Sequence, residues 1–235
     1  GEVDGIWQGF RFENFRIPQM HSTAGPRFCS LAVGDVTGDG YPDLYFGDYD
    51  SGTSQIYDYN NRLLINDGNA VFSDQSTKRM DNEMLLSAFG AASCIEDMNG
   101  DGVYDVVKQT SLNPPQHVAI AYNNPSNEGY FNGYDIIDTL APYFVTVGDL
   151  NGDGRLDMVV VDDGSDTYYL NTGNGGDGFA NFDSVTKILV VTIGICHATF
   201  DAFPRIGITP INTASVVGAR VVVITIKRCA VCFIA

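Results

Sequence analysis

The chain has 235 residues, 44% of them hydrophobic, enough to bury a sizeable core in one large domain or two small ones. Its 29 acidic residues against 13 Lys and Arg give a formal net charge of -16, which repels nucleic acid and anionic membrane surfaces and excludes both as partners. With carboxylates outnumbering their cationic side-chain partners by more than two to one, the composition points instead to bound cations.

The chain starts at Gly1, and the residues that follow lack the basic-then-apolar pattern of a signal peptide, as expected of a processed, mature chain. The segment from Ile6 to Ile17 has apolar residues at Ile6, Phe10 and Phe12 with polar ones partly between, which predicts a strand. It carries more aromatic surface than a free terminus, so residues 1–27 are read as an N-terminal extension that packs on something else.

Three copies of one nonapeptide come next: Asp35-Val-Thr-Gly-Asp-Gly-Tyr-Pro-Asp43, Asp97-Met-Asn-Gly-Asp-Gly-Val-Tyr-Asp105 and Asp149-Leu-Asn-Gly-Asp-Gly-Arg-Leu-Asp157. Each puts an oxygen-bearing side chain at its first, third, fifth and ninth positions and Gly at its sixth. Such a loop can turn its carboxylates and the seventh carbonyl onto a hard cation, which is calcium chemistry. The expected ligands are Asp35, Thr37, Asp39, the Tyr41 carbonyl and Asp43 in the first loop; Asp97, Asn99, Asp101, the Val103 carbonyl and Asp105 in the second; and Asp149, Asn151, Asp153, the Arg155 carbonyl and Asp157 in the third. Thr37 is the poorest of the side-chain ligands, so the first site is expected to be the weakest. An EF-hand is excluded, because its twelfth position needs a bidentate Glu and here holds Phe46, Lys108 and Val160.

Each loop lies between two β-rich runs: Leu31-Ala-Val and Leu44-Tyr-Phe, Cys94-Ile and Val106-Val, Phe144-Val-Thr-Val and Met158-Val-Val-Val. A further strand follows in each repeat, beginning near Arg62, Val118 and Tyr168 and ending in a polar Gly/Asn turn and an aromatic residue. Three or four strands per repeat predict an all-β fold of antiparallel, propeller-type blades.

On these loops, on Phe89-Gly90-Ala91-Ala92 before the second of them, and on Leu64-Ile-Asn-Asp-Gly68 at a strand end, the chain resembles the FG-GAP/VCBS repeat family over roughly residues 28–185. These are the calcium-loop blades of integrin α-chain propellers and of many secreted bacterial proteins. The resemblance implies about three Ca2+ ions and a secreted, extracellular or cell-surface location. The smallest propellers need four blades, so three motifs do not close a ring. Either the termini supply a degenerate fourth blade, or the stack stays open and is completed by something else.

Composition changes after Thr186: residues 1–186 hold 28 acids and 8 bases, whereas 187–235 hold one acid and five bases. In this last segment 30 of 49 residues are hydrophobic, with strand-like runs at 188–196 and 221–226 and no calcium loop. It is read as a separate, hydrophobic β segment after the repeats of 28–186. Arg220, Lys227 and Arg228 interrupt its longest apolar stretch and argue against membrane insertion.

The remaining motifs are weaker. Cys229-Ala-Val-Cys232 with Cys196 and His197 lacks the turn residues of a zinc site, and reads as buried thiols or a disulfide. Gly173-Asn-Gly-Gly-Asp-Gly178 matches a dinucleotide fingerprint but precedes no helix, and reads as a strand-to-strand turn. His21, His117 and His197 are scattered, and no nucleophile motif is present, so no catalytic residue is assigned. The cluster of Tyr45, Tyr49, Tyr57 and Tyr59 suits blade packing better than sugar stacking.

The expected function is that of an extracellular calcium-binding structural or adhesive repeat protein, not an enzyme. It self-assembles through its terminal strands as a homo-oligomer or a polymer, and a glycan or an extracellular protein is its expected ligand. The alternative is a carbohydrate-binding lectin-like propeller, and the third reading an accessory module of a surface polysaccharide-acting enzyme.

Overall fold

The computed structural model describes residues 2–7, 9, 12–18, 28–48, 60–85, 90–110, 116–139, 142–161 and 166–186. A minimal hairpin, β1 (Glu2–Val3) with β2 (Ile6–Trp7), opens the chain. Among the described residues of 6–17, where a strand was expected, only Ile6–Trp7 are in a strand, and residues 14–17 turn. Arg16 ties this segment to the body of the fold: its carbonyl accepts the Phe72 N–H at 2.7 Å, and its guanidinium donates to the Asn69 carbonyl at 2.6 Å.

Three four-stranded antiparallel sheets follow, each a simple meander. The first is β3 (Phe28–Gly34), β4 (Asp43–Asp48), β5 (Arg62–Asn66) and β6 (Phe72–Asp74). Two short helices, α1 (Ser76–Arg79) and α2 (Asn82–Leu85), lie in the connection to the second sheet. That sheet is β7 (Ser93–Glu96), β8 (Asp105–Thr110), β9 (His117–Asn123) and β10 (Phe131–Asp138). The third is β11 (Phe144–Gly148), β12 (Asp157–Val161), β13 (Thr167–Asn174) and β14 (Ala180–Thr186). These are the predicted blades, four strands in each. Residues 187–235, including Cys196, Cys229 and Cys232, lie outside the described residues, as do His21, Tyr49, Tyr57 and Tyr59.

Alternation along the strands gives each blade two apolar faces, and the cores form between blades. Ala32, Tyr45 and Leu63 of the first blade meet Ile95, Val106, Ala121 and Phe131 of the second, with Met80 and Met84 from the helical connection filling the same layer. Val107, Val118, Ile120 and Tyr122 on the other face of the second blade meet Val145, Met158, Val160 and Tyr169 of the third. Tyr45 is therefore a packing residue, as expected.

The helices were not foreseen in the sequence, because their two single turns leave no periodic apolar pattern. Asp74, one residue ahead of the Gln75 cap position of the first, accepts the Ser76 N–H at 3.0 Å, and Asp81 starts the second by accepting the Met84 N–H at 2.8 Å. Lys108, on the central strand β8, donates from Nζ to the Glu83 and Met84 carbonyls at 2.8 and 3.3 Å. Burial pushes its pKa down to about 7, against the opposing pull of the Asp81 and Glu83 carboxylates.

Because the unfolded chain keeps the Lys108 proton to about pH 10.5, folding is penalised below pH 7 and the penalty is relieved as pH rises from 7 towards 10.5. Urea unfolding at pH 7, 8 and 9 should show the stability of the wild type rising relative to that of Lys108→Met. A difference independent of pH would contradict the burial of a charged amine.

Candidate metal loops

Each nonapeptide closes the first hairpin of its blade. The closing pairs are Gly34 with Asp43, Glu96 with Asp105 and Gly148 with Asp157, so the final Asp of each loop is also the first residue of a strand. That register places the three ninth-position side chains, Asp43, Asp105 and Asp157, in full burial, whereas the loop tips stay exposed. The sixth-position glycines Gly40, Gly102 and Gly154 sit at φ 88°, 92° and 86°, a left-handed turn that a side chain would strain.

The buried carboxylate bridges the loop to the blade interior. In the second loop Asp105 accepts the Met98 N–H at 3.0 Å and, on its other oxygen, the Asn123 N–H at 2.9 Å. Asp43 bridges Val36 and Asn66 in the same way, and Asp157 bridges Leu150 and Asn171. Burial pushes the Asp105 carboxyl up to about 7, resisted by those two N–H bonds and reinforced by the neighbouring Asp101 and Asp97 charges. Asp43 is raised for the same reasons.

The first-position carboxylate organises the exposed part of the loop. Asp97 accepts N–H bonds from Gly100 at 2.8 Å, Asp101 at 3.2 Å and Gly102 at 3.0 Å, and Asp149 repeats this with Gly152, Asp153 and Gly154. Asp35 does so with Asp39 and Gly40. In the first loop the Thr37 hydroxyl lies 3.4 Å from both Asp35 Oδ1 and Asp43 Oδ2, drawing the first, third and ninth positions together. In the other two loops the third-position amides of Asn99 and Asn151 turn their nitrogen to Asp101 and Asp153, at 2.9 and 2.8 Å.

These donor sets suit a hard divalent cation: oxygen ligands only, three carboxylates per loop, and among the described residues no Lys or Arg paired with any carboxylate of the first two loops. The third loop differs, because Arg155 forms an ion pair with Asp153. In the arrangement described, no three Asp, Glu, His or Cys side chains converge on one point closely enough to hold an ion by themselves. The carboxylates are held instead by backbone N–H groups, and the Tyr41, Val103 and Arg155 residues that supply the seventh carbonyls are all in the turn.

A polar site that sequence reasoning missed joins the loops to one another. An Asn in the third strand of each blade, the last residue of β5 and β9 and an inner residue of β13, donates from Nδ2 to the carbonyl at the eighth loop position of its own blade: Asn66 to Pro42, Asn123 to Tyr104 and Asn171 to Leu156. The same nitrogen of Asn123 donates to the Val36 carbonyl of the first blade at 2.8 Å, and that of Asn171 to the Met98 carbonyl of the second, also at 2.8 Å. Both acceptors are second-position residues of the preceding calcium-type loop. The recurrent Asn before a turn was the available signal, but its partner is 87 and 73 residues away.

The Gly173–Gly178 motif covers the end of β13 and most of the turn, residues 175–179, that leads to β14, a strand-to-strand connection as read from the sequence, and His117 is a buried residue bonded to the Tyr134 hydroxyl at 2.6 Å. No helix among the described residues is long and apolar enough to cross a membrane.

The sequence matches the FG-GAP-like repeat family in two overlapping stretches, residues 35–108 and 97–160, together more than half of the chain. The chain belongs to the FG-GAP-like repeat family. No curated protein matches it. Among solved structures, one described as the structural basis of specific recognition of non-reducing terminal N-acetylglucosamine by an Agrocybe aegerita lectin is similar at 24% identity and a TM-score of 0.38. The match covers 65% of this chain and 37% of the lectin chain, so this FG-GAP-like chain spans well under half of that protein.

Two predictions come from this geometry. Asn123→Ala removes the inter-blade bond and leaves the Val36 and Tyr104 carbonyls and the Gly129 N–H, now bonded at 2.7 Å, without their partner. It should cost roughly 1–3 kcal/mol in chemical denaturation, more than Asn66→Ala, whose bonds stay within one blade. For loops that hold calcium as the ligand pattern leads one to expect, Asp153→Ala should weaken binding by about tenfold or more (~1.4 kcal/mol) and Thr37→Ala by less, because only the former removes a charged oxygen donor. Equal losses in calorimetric titration would reverse the ranking of the loops.

Proposed function

We propose that this FG-GAP-like chain is an extracellular calcium-binding structural or adhesive protein that self-assembles, with no catalysis of its own. The observation that carries the reading is the threefold recurrence of one oxygen-only loop with carboxylates at its first, fifth and ninth positions, the ninth buried, and, among the described residues, no Lys or Arg paired with them in the first two copies. Three divalent ions would reduce the formal charge from -16 to -10 and offset the burial that chiefly raises Asp43 and Asp105, together with the neighbouring carboxylate charges that add to it. FG-GAP-like repeats are typically extracellular, where free calcium is high enough for weak sites to fill.

Calcium titrated into chelator-stripped protein should bind at three ions per chain with Kd roughly 10⁻⁴ to 10⁻³ M. Tenfold excess over Kd should then stabilise each site by about 1.4 kcal/mol, seen as a higher Tm that excess chelator reverses. A melting curve indifferent to calcium and chelator would overturn the proposal.

A further inference from the structure

One side chain that the loop pattern turns to a cation also touches the next blade. In the second loop the buried Asn99 donates from Nδ2 to the Gly178 carbonyl of the third blade at 2.7 Å and to Asp101 Oδ2 of its own loop at 2.9 Å. Its Oδ1 accepts the Asp101 N–H at 3.0 Å. Both nitrogen protons are thus spent, whereas the oxygen, with two lone pairs, has one left among the described residues. That lone pair is what a third-position ligand offers a hard cation.

A cleft of about 350 Å³ separates much of this loop from the third blade, with Asp97 and Gly100 on one side and Arg155, Gly173 and Asn174 on the other. Asn99 bridges it to Gly178, and the Met98 carbonyl bridges it to Asn171 Nδ2, so two adjacent loop residues hold both ends of the β13–β14 connection. The contact between the first two blades has no such donor. There Thr37 presents its methyl to Gly129, which sits at φ 81° as Gly178 does at 90°; a Cβ on Gly129 would lie 2.9 Å from Thr37 Cγ2. The Thr37 hydroxyl stays with Asp35 and Asp43, and a hydroxyl ligand has no N–H to give to the neighbouring turn.

We propose that Asn99 is a two-sided residue that couples cation binding at the second loop to the docking of the third blade, its Oδ1 facing the cation and its Nδ2 holding the Gly178 carbonyl. The proposal rests on the calcium reading above and gives the second loop a task that the first does not share. Positive charge on the oxygen side of an amide draws electron density from the nitrogen, so the N–H bond to Gly178 strengthens as Oδ1 takes up a cation. Asp101 Oδ2 belongs to a ligand as well, and its turn to the cation leaves Gly178 as the remaining acceptor of Nδ2. The coupling is reciprocal: by holding Nδ2 the third blade fixes the rotamer that presents Oδ1, and so raises the affinity of the loop. An Asp at this position would bring the cation a charge but would set an acceptor against the Gly178 carbonyl; an amide serves both sides.

Hydrogen exchange on the full chain reads the coupling at the Gly178, Phe179 and Ala180 amides, which are bonded to Asn174, Asp177 and Tyr122. Asp153→Ala serves as the background, because it weakens the third blade's own loop, with calcium set where titration gives two ions per chain. In that background calcium should slow exchange at these amides by about fivefold or more, and chelator should reverse the effect. Adding Asn99→Asp should keep both ions and abolish the calcium-dependent protection. Asn99→Ser, which keeps an oxygen on a shorter side chain, should abolish it too, and reads the coupling should the first variant fold poorly. Adding Asp39→Asn, which weakens the first loop, should leave the protection in place. Protection that persists in the Asn99 variants, that never appears although calcium binds, or that is lost with Asp39→Asn would overturn the coupling and leave the calcium reading standing. Loss of an ion from Asn99→Asp would overturn the part given to Oδ1. A chain that binds no calcium would overturn both proposals.

Discussion

The fold depends on the placement of a fully buried carboxylate at a strand start, because each ninth-position Asp ties its loop to the neighbouring third strand of the blade. Asp105 holds Met98 and Asn123 together, and Asn123 in turn holds Val36 of the preceding blade. One side chain thus fixes the loop, its blade and the orientation of the Asn that reaches the neighbour. Burying an acid without a counter-ion is costly, and the raised Asp105 carboxyl is a measure of that cost. Two N–H bonds offset part of it, and a divalent ion at the loop would offset more.

Apolar and polar contacts between blades have different roles. Residues such as Val107, Val118 and Met158 bury their surface between sheets and supply most of the attraction, but such a layer tolerates sliding of one sheet over the next. The Asn bonds to Val36 and Met98 do not, since a shift of one residue would leave a buried amide and a buried carbonyl unpaired. The apolar layer therefore sets that the blades stack, and the Asn bonds set their register.

Much of this was legible in the sequence. The strands flanking each loop, the turn between β13 and β14 and the packing role of Tyr45 follow from local alternation and turn chemistry, which operate within a few residues. The features that were missed are those whose partners are remote or whose elements are too short for a period. The Asn bonds span 87 and 73 residues, and α1 and α2 are four residues each. In the loops themselves the sequence lists donors but not their directions. Asp97 spends its lone pairs on the N–H groups of Gly100, Asp101 and Gly102, and Arg155 leans on Asp153, neither of which a ligand pattern reveals.

Repeats that contact only their neighbours have stabilities close to a sum of blade terms and interface terms. The polar part of an interface term can also be made by a peptide segment. In the interior, Asn99 of the second blade donates to the Gly178 carbonyl in the last turn of the third, at 2.7 Å. At the first blade the corresponding turn is 67–71, and there Arg16 donates to the Asn69 carbonyl and, at 3.4 Å, to that of Ala70. Arg16 thus makes at the turn of the first blade the kind of polar contact that Asn99 makes at the turn of the third, and it does so from a peptide segment that brings no sheet with it: the turn is tied down while Leu31 and Val33 stay more than half exposed.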